Sequence, residues 1–341
     1  MTTTALPPAS VPDPATAPPL RWGIIGTGGI AGHFVRQVRP RTRQEIVAVG
    51  SRTADRAAAF AAEHEIGRSY GSYAELVADP GVDVVYVASP HSEHRAHALL
   101  AIEAGKHVLV EKAFTRSAAE AEEVFAAARE RGVFVMEAMW TRFLPHITAV
   151  RDLVQGGRLG EVVSLVADHG QRLDGDPGGR LLNPDLAGGA LLDLCVYPLS
   201  LAHFLLGAPD EVVAVGSLTE TGVDGQESVV LRYGERTLAV CSATLWASTA
   251  TTASVAGNEA RIEVSGPFYA PGEFTVVHRD GRREEYRHPV DGGFEFEVAE
   301  VARCVSAGLQ ESAVMPWQAT LDVMRVMDEV RRQLGVVFPG E

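Results

Sequence analysis

The feature that most constrains this fold is a regular alternation of short apolar runs with helix-length segments from Arg21 to Ala138. The runs are residues 21–26 (RWGIIG), 45–52 (EIVAVGSR), 82–88 (VDVVYVA), 107–112 and 133–138. Helical patterns fill 29–39, 53–64, 72–78, 92–104 and 117–131, with Gly105 and Gly132 as natural stops behind the last two. The run at 82–88 is nearly continuous in apolar residues, the pattern of a strand buried on both faces. Strands that alternate with helices at this spacing predict a parallel, doubly wound α/β sheet.

After Met139 the rhythm changes. A helix at 144–155 leads to a strand at 161–168, a loop rich in Gly, Asp and Pro at 173–186, and an apolar helix at 189–206. Strands are expected at 211–218, 227–233, 237–245, 251–255, 260–264 and 274–278. Short turns such as Asp224-Gly225, Gly257-Asn258 and Asp280-Gly281 join them, so the second sheet should be large and mainly antiparallel. Two helices, 294–308 and 317–334, close the chain. The expected organisation is a disordered leader at 1–20, a doubly wound domain at 21–140, and a second domain built on the large sheet at 141–335. The leader reading rests on six prolines and a single charge, Asp13, with no basic and apolar pattern of a signal peptide.

Composition narrows the function. The 341 residues carry 44 acidic and 30 basic side chains, a net charge of −14, which argues against nucleic acid or an anionic membrane as a general partner. A small-molecule substrate is expected instead. The apolar stretch 190–208 contains Asp193, Pro198 and His203 and is short for a membrane span, so it reads as a buried helix. Cys195, Cys241 and Cys304 are far apart, with no CxxC pair, so no metal site and no disulfide framework is expected, and a reducing, cytoplasmic setting is.

Gly26-Thr27-Gly28-Gly29-Ile30-Ala31 matches G-x-G-x-x-G/A where the first strand should turn into the first helix. Gly26 permits the tight turn, Gly28 lets a pyrophosphate approach the backbone, and Ala31 keeps the helix close to the sheet. An NAD-selective fold places an acidic residue about 20 residues further on, against the ribose diol. That place holds Ser51-Arg52-Thr53, and a guanidinium with hydroxyls suits a 2′-phosphate. NADP(H) is therefore the expected cofactor, with NAD(H) as the alternative.

The glycine turn, the segment Ser89-Pro90-His91-Ser92-Glu93-His94 and the pair Glu111-Lys112 at a strand end occur in one order and spacing. Together they resemble the glucose–fructose oxidoreductase / inositol dehydrogenase (Gfo/Idh/MocA) family. MEAMWTRFLP (136–145) and GGALLDLCVYP (188–198) resemble its dimeric dihydrodiol dehydrogenase and NADP-linked xylose dehydrogenase branch. The resemblance runs from about Arg21 to Leu334.

The resemblance implies roles for particular residues. Lys112 is the catalytic-site lysine; the family usually has Pro after it, whereas here Ala113 follows and leaves the local peptide geometry open. Asp193 and Tyr197, four apart, share a helix face. Tyr197 would relay the proton of the alcohol, its ordinary pKa of about 10 lowered by Lys112. Asp193 would orient the substrate or the Tyr197 hydroxyl. Pro198 should impose a helix start or kink beside the site. Ser89, Pro90, His91 and His94 form the loop by the nicotinamide, with a structural hydrogen-bonding role for His94 equally open; Glu111 is counted with the cofactor contacts. Trp140, Arg142 and Phe143 either line the cofactor and substrate cleft or pack the domain interface. Arg180 is a candidate substrate contact, or a solvated loop arginine.

The implied function is hydride transfer between NADP(H) and a secondary alcohol or hemiacetal of an aldose or trans-dihydrodiol. The alternatives are a non-catalytic NAD(P)-binding regulator or sensor, and a dehydrogenase of an inositol-like polyol. By resemblance, the free face of the C-terminal sheet forms a homodimer or higher homo-oligomer.

Overall fold

The computed structural model describes residues 3–173 and 175–341. The chain forms two units: Pro12–Trp140 with Phe294–Leu321, and residues up to Val11 with Thr141–Gly293 and Asp322–Glu341.

In the first unit Val84–Val87 is buried at every position, the environment its uniformly apolar sequence requires. It belongs to a six-stranded parallel sheet. The spatial order is Arg68–Tyr70, Glu45–Gly50, Arg21–Ile25, Val84–Val87, His107–Glu111, Val135–Ala138. This order reverses between Arg21–Ile25 and Val84–Val87, the switch point beside which doubly wound sheets bind ligands. The edge strand Arg68–Tyr70 has only three residues and little burial, too short for an apolar pattern to announce it.

Two segments outside 21–140 complete this unit. The helix Phe294–Ser306 packs on the helix Gly29–Val38, with Phe294 6.5 Å from the Phe34 ring and 5.2 Å from His33. Trp317 donates through Nε1 to the Val135 carbonyl (2.9 Å) and stacks on Phe125 at 5.2 Å. The boundary expected at 141–335 therefore misses a return crossing: the sheet needs cover, and the chain supplies it from beyond residue 293.

The leader is ordered, which corrects the expectation of disorder. Thr3–Ala5 pairs in parallel with Arg283–Tyr286 in the second unit. Asp13 caps the 3-10 turn Pro14–Thr16, Ala17 is fully buried against Ala299 and Ala302, and the Pro18 carbonyl accepts from Gln44 Nε2 at 2.8 Å. A proline-rich segment loses less chain entropy on ordering, and its carbonyls remain available as acceptors.

The second unit is built on a nine-stranded sheet. Its order is Thr3–Ala5, Arg283–Tyr286, Phe274–His278, Ala260–Val264, Ala253–Gly257, Val162–Gly170, Thr237–Thr244, Asp224–Tyr233, Glu211–Leu218. Two neighbouring pairs are parallel, Thr3–Ala5 with Arg283–Tyr286 and Val162–Gly170 with Thr237–Thr244; the others are antiparallel. Leu165, Ala167, Val229, Leu231, Ala239 and Cys241 point inward. On the opposite face Val166, Val240, Val230 and Val213 pair in one cross-strand row. Val166, Val240 and Val213 are exposed.

Inside lies the apolar segment Pro184–Leu206. It is long and apolar enough to cross a membrane, yet 89% of its window is buried within the protein, as in a core helix. It contains a π-helical turn, Leu191–Cys195, that runs into the α-helix Val196–Leu206.

Candidate active site

The glycine turn stands at the switch point. Gly26 has φ +107°, and a Cβ there would lie 2.6 Å from the Ala88 carbonyl oxygen, so only glycine fits. Gly28 is the N-cap of the helix Gly29–Val38 and makes no side-chain cap bond. Space is open where Cβ atoms of Gly28 and Gly29 would stand, with nothing within 4 Å. First-turn amides facing open space are a ready anion site, and this fits the pyrophosphate of a dinucleotide. Thr27 and Ile30 belong to the same turn, and Ile30 is exposed.

Ser51 is buried and its N–H donates to the Tyr70 carbonyl (3.1 Å), whereas Arg52 is exposed. The Arg52 charge acts on Tyr73 and His97, and Arg56 also acts on Tyr73. Tyr73 and His97 meet edge to face at 4.5 Å, and His97 Nδ1 lies 2.9 Å from Ser89 Oγ. A basic, aromatic corner thus surrounds the end of the second strand. Tyr73, His97 and Arg56 escaped sequence reasoning because they come from separate helices.

The loop after Val87 is tied to the lysine strand. His91 Nε2 lies 3.2 Å from the Lys112 carbonyl oxygen. His94 places Nδ1 2.9 Å from the Ala113 carbonyl oxygen and Nε2 2.8 Å from that of Ser89. Two carbonyl acceptors favour a doubly protonated ring, but burial is the larger effect and pushes the His94 pKa down to about 4. His94 is 1% exposed with both nitrogens committed to backbone, which fits the structural role left open for it.

Glu111 is tied down in a similar way. It is buried, the Tyr86 hydroxyl donates to Oε1, and Oε2 accepts from the Lys112 N–H at 3.2 Å. Its carboxylate holds the strand end from which Lys112 projects. The Lys112–Ala113 peptide is cis. Just beyond, Glu137 accepts from the Phe114 N–H (3.2 Å) and the Thr320 hydroxyl (3.0 Å).

In the second unit Asp193 and Tyr197 lie on the π-to-α segment, both nearly buried. Pro198 explains the irregularity: it has no N–H, so the Leu194 carbonyl four residues back loses its helical donor. The Val196 N–H bonds five residues back to the Leu191 carbonyl, and His169 Nδ1 lies 3.3 Å from the Leu194 oxygen. Single π turns recur at functional sites.

Gln171 fixes the proton on His169. Its Nε2 donates to His169 Nε2 (2.8 Å), which leaves Nδ1 as the N–H that bonds Leu194. The same amide donates to the Tyr269 hydroxyl at 3.3 Å. His169 stacks on Tyr269 at 4.4 Å; Tyr197 lies 4.8 Å from Tyr269 and 5.3 Å from His169. Sequence reasoning missed His169, Gln171 and Tyr269: no motif links a strand end to the loop near Pro267. Arg180, by contrast, grips Asp193 at 2.8 and 3.3 Å.

This pairing of an open glycine turn at a Rossmann switch point with a second, large-sheet unit is matched by known families. Residues 20–139 match the oxidoreductase family with an NAD-binding Rossmann fold, and residues 147–266 match the GFO/IDH/MocA C-terminal domain. The chain belongs to the GFO/IDH/MocA oxidoreductase family. It is 37% identical to the D-xylose 1-dehydrogenase (NADP(+)) of Hypocrea jecorina, covering 94% of this chain and 93% of that protein. It is 37% identical to the trans-1,2-dihydrobenzene-1,2-diol dehydrogenase of Macaca fascicularis, over 94% of this chain and 99% of that one. Among solved structures, a 3-ketoreductase from Actinomadura kijaniata in complex with NADP and TDP-benzene superposes with a TM-score of 0.84 at 28% identity, over 93% and 98% of the chains. An aldose-aldose oxidoreductase from Caulobacter crescentus does so with a TM-score of 0.84 at 26% identity, again over 93% and 98%. The protein is an NAD(P)-dependent oxidoreductase.

Within this oxidoreductase, Arg142 is 2% exposed; its guanidinium donates to Ser200 Oγ (2.9 Å) and the Ser200 carbonyl (3.2 Å), and lies 3.3 Å from His203 Nδ1. His203 Nε2 in turn meets Asp322 at 3.1 Å. These bonds tie Arg142 to the helix that carries Tyr197, and Phe143 beside it is buried. Trp140 meets Phe294 edge to face at 4.8 Å. Thr141 donates to the Tyr269 carbonyl (2.8 Å), so the crossing segment fixes an aromatic of the site.

Proposed function

We propose that this oxidoreductase transfers hydride between NADP(H) and a ring-borne secondary alcohol or hemiacetal of an aldose or trans-dihydrodiol. The observation that carries the reading is Tyr197, held among His169, Tyr269 and the Arg180–Asp193 pair by a helix distorted at Pro198. A hydroxyl set among aromatic faces and a charged fork suits a polyhydroxylated or unsaturated ring. The xylose and dihydrodiol dehydrogenases it resembles act on rings of these two kinds.

The nicotinamide, when bound, supplies the hydride chemistry. Gly26, Gly28, Gly29 and the first-turn amides would hold its pyrophosphate, and Arg52 with Arg56 would hold the 2′-phosphate of NADP(H). Tyr197 takes the hydroxyl proton as the alcohol is oxidised and returns it in the reverse direction. Lys112 stabilises charge developing on the reacting oxygen. Asp193, oriented by Arg180, positions the ring hydroxyls.

The valine row on the open sheet face supports a homodimer formed through that face. Three free cysteines support a cytoplasmic setting. The decisive experiment is a screen of aldoses, inositols and trans-dihydrodiols with NADP⁺, read by the absorbance of the reduced nicotinamide. Turnover on an aldose or dihydrodiol supports the proposal. Tight NADPH binding with no turnover on any of them would favour a regulator or sensor.

A further inference from the structure

Two carboxyls lie beneath the helix that carries Asp193 and Tyr197, and neither has a part in the chemistry above. Asp224 and Glu227 are 1% and 2% exposed. They are three apart on one strand, and strand alternation would put them on opposite faces. A register shift between Asp224 and Gln226 in the pairing with Glu211–Leu218 turns both inward. Bulges re-aim side chains in this way, often beside active sites.

Asp224 Oδ2 accepts from the Leu191 N–H at 2.5 Å, at the first residue of the π turn. Gly189 lies against the same carboxylate: its φ is +119°, and a Cβ there would stand 2.2 Å from Asp224 Oδ1. The chain is therefore built to bring its backbone onto Asp224 just before the helix begins. Asp224 Oδ1 and both Glu227 oxygens have no hydrogen-bond partner of ordinary geometry, and unpaired buried carboxyl atoms are costly.

We propose that the Asp224–Glu227 pair is the buried anchor that positions the helix presenting Asp193 and Tyr197, with Asp224 as the positioning residue. The inference rests on the functional reading above. The groups acting on Glu227 are Asp224 and the Cys195 thiol; Cys195 is also in the field of Cys241. His169, two strands away across Thr237–Thr244, is the ring that bonds Leu194. Burial, reinforced by Asp224, pushes the Glu227 pKa well above its ordinary value, and burial also keeps both thiols protonated. Burial raises the Asp224 pKa as well, against the backbone N–H bonds it accepts, which lower it. The amides at the start of the helix face the Asp224 carboxyl.

The test uses the full chain with the variants D224A, D224N, E227Q and Y197F. D224A should lower kcat by about tenfold to a hundredfold, the cost of slight misplacement of a reacting group. Its NADPH dissociation constant should stay within about twofold, because the nucleotide is held elsewhere. D224N, which keeps an acceptor for the Leu191 N–H, should recover part of the loss. Amide exchange should quicken over residues 189–197 in D224A and stay unchanged elsewhere. In the infrared, the wild type at neutral pH should show a protonated-carboxyl band that E227Q removes. A folded D224A with wild-type kcat or wild-type exchange at 189–197 overturns the proposal. If D224A fails to fold, D224N is read in its place: wild-type kcat with wild-type exchange at 189–197 overturns the proposal, and a partial loss of turnover with quickened exchange there supports it. Y197F is the separate control: turnover retained there refutes the catalytic reading, and amide exchange then judges the anchor alone.

Discussion

Arg180 holds Asp193 with two guanidinium nitrogens, at 2.8 Å to Oδ1 and 3.3 Å to Oδ2, from a loop thirteen residues earlier in the chain. A carboxylate one helical turn from Tyr197 would by itself oppose a phenolate there; the fork supplies the compensating charge. Arg180→Gln should therefore lower kcat/KM by about tenfold, on the scale of a charge-assisted hydrogen bond. The NADPH dissociation constant should not move. Steady-state kinetics beside cofactor titration check this; unchanged kcat/KM would return Arg180 to the status of a solvated loop residue.

Tyr197→Phe keeps the aromatic contacts with His169 and Tyr269 and removes only the hydroxyl. Turnover should fall by about a hundredfold or more, the usual share of a positioned acid–base group. NADPH binding should persist. Retained turnover would place the proton transfer on another residue.

Arg52→Ala should weaken NADPH binding by about tenfold or more while leaving NADH binding nearly unchanged, because only the former carries the 2′-phosphate. Dissociation constants from fluorescence titration decide it. Equal losses for both cofactors would show that Arg52 does not meet the 2′-phosphate.

Stability should depend on pH through two buried imidazoles. Burial takes His94 and His146 each down to about 4. The unfolded value is about 6.5, so the unfolded chain binds protons first as pH falls. The stabilisation is full above about 6.5 and is lost progressively toward about 4, by up to about 3 kcal/mol per ring. Urea midpoints near pH 7.5 and near pH 5 measure the change, and His146→Phe should make it smaller. Equal midpoints at the two pH values would be incompatible with buried neutral rings.

Val166→Glu places a charge in the valine row on the open sheet face, opposite Val240. If that face joins two copies, sedimentation should show a shift from dimer to monomer with the fold intact. A wild-type protein that sediments as a monomer contradicts the assignment.

Local chemistry made much of this molecule legible. Val84–Val87 announced a central strand because every residue is apolar, and the glycine turn announced its helix because Gly26 meets a tight turn that no other residue fits and Gly28 and Gly29 leave space open beyond it. Pro198 forewarned of a distortion, although its form, a π turn with His169 serving the Leu194 carbonyl, depends on a strand elsewhere in the chain. Arg142 left two readings open because a charge beside aromatics suits a ligand or a buried contact alike, and its partners Ser200 and His203 are far off in the chain. His169, Gln171 and Tyr269 were silent because their meaning lies in mutual distance. The leader misled because proline-rich composition describes a free chain as well as an extended one docked through its carbonyls.

The return of Phe294–Leu321 to the first unit has a consequence for biosynthesis. On the ribosome, Phe294 and Trp317 emerge only after the whole of Thr141–Gly293 has followed the sheet they cover. Until then the faces around Phe34 and Phe125 lack their native cover and are candidates for chaperone capture. The nucleotide unit, largely read before Thr141–Gly293, is finished only after it.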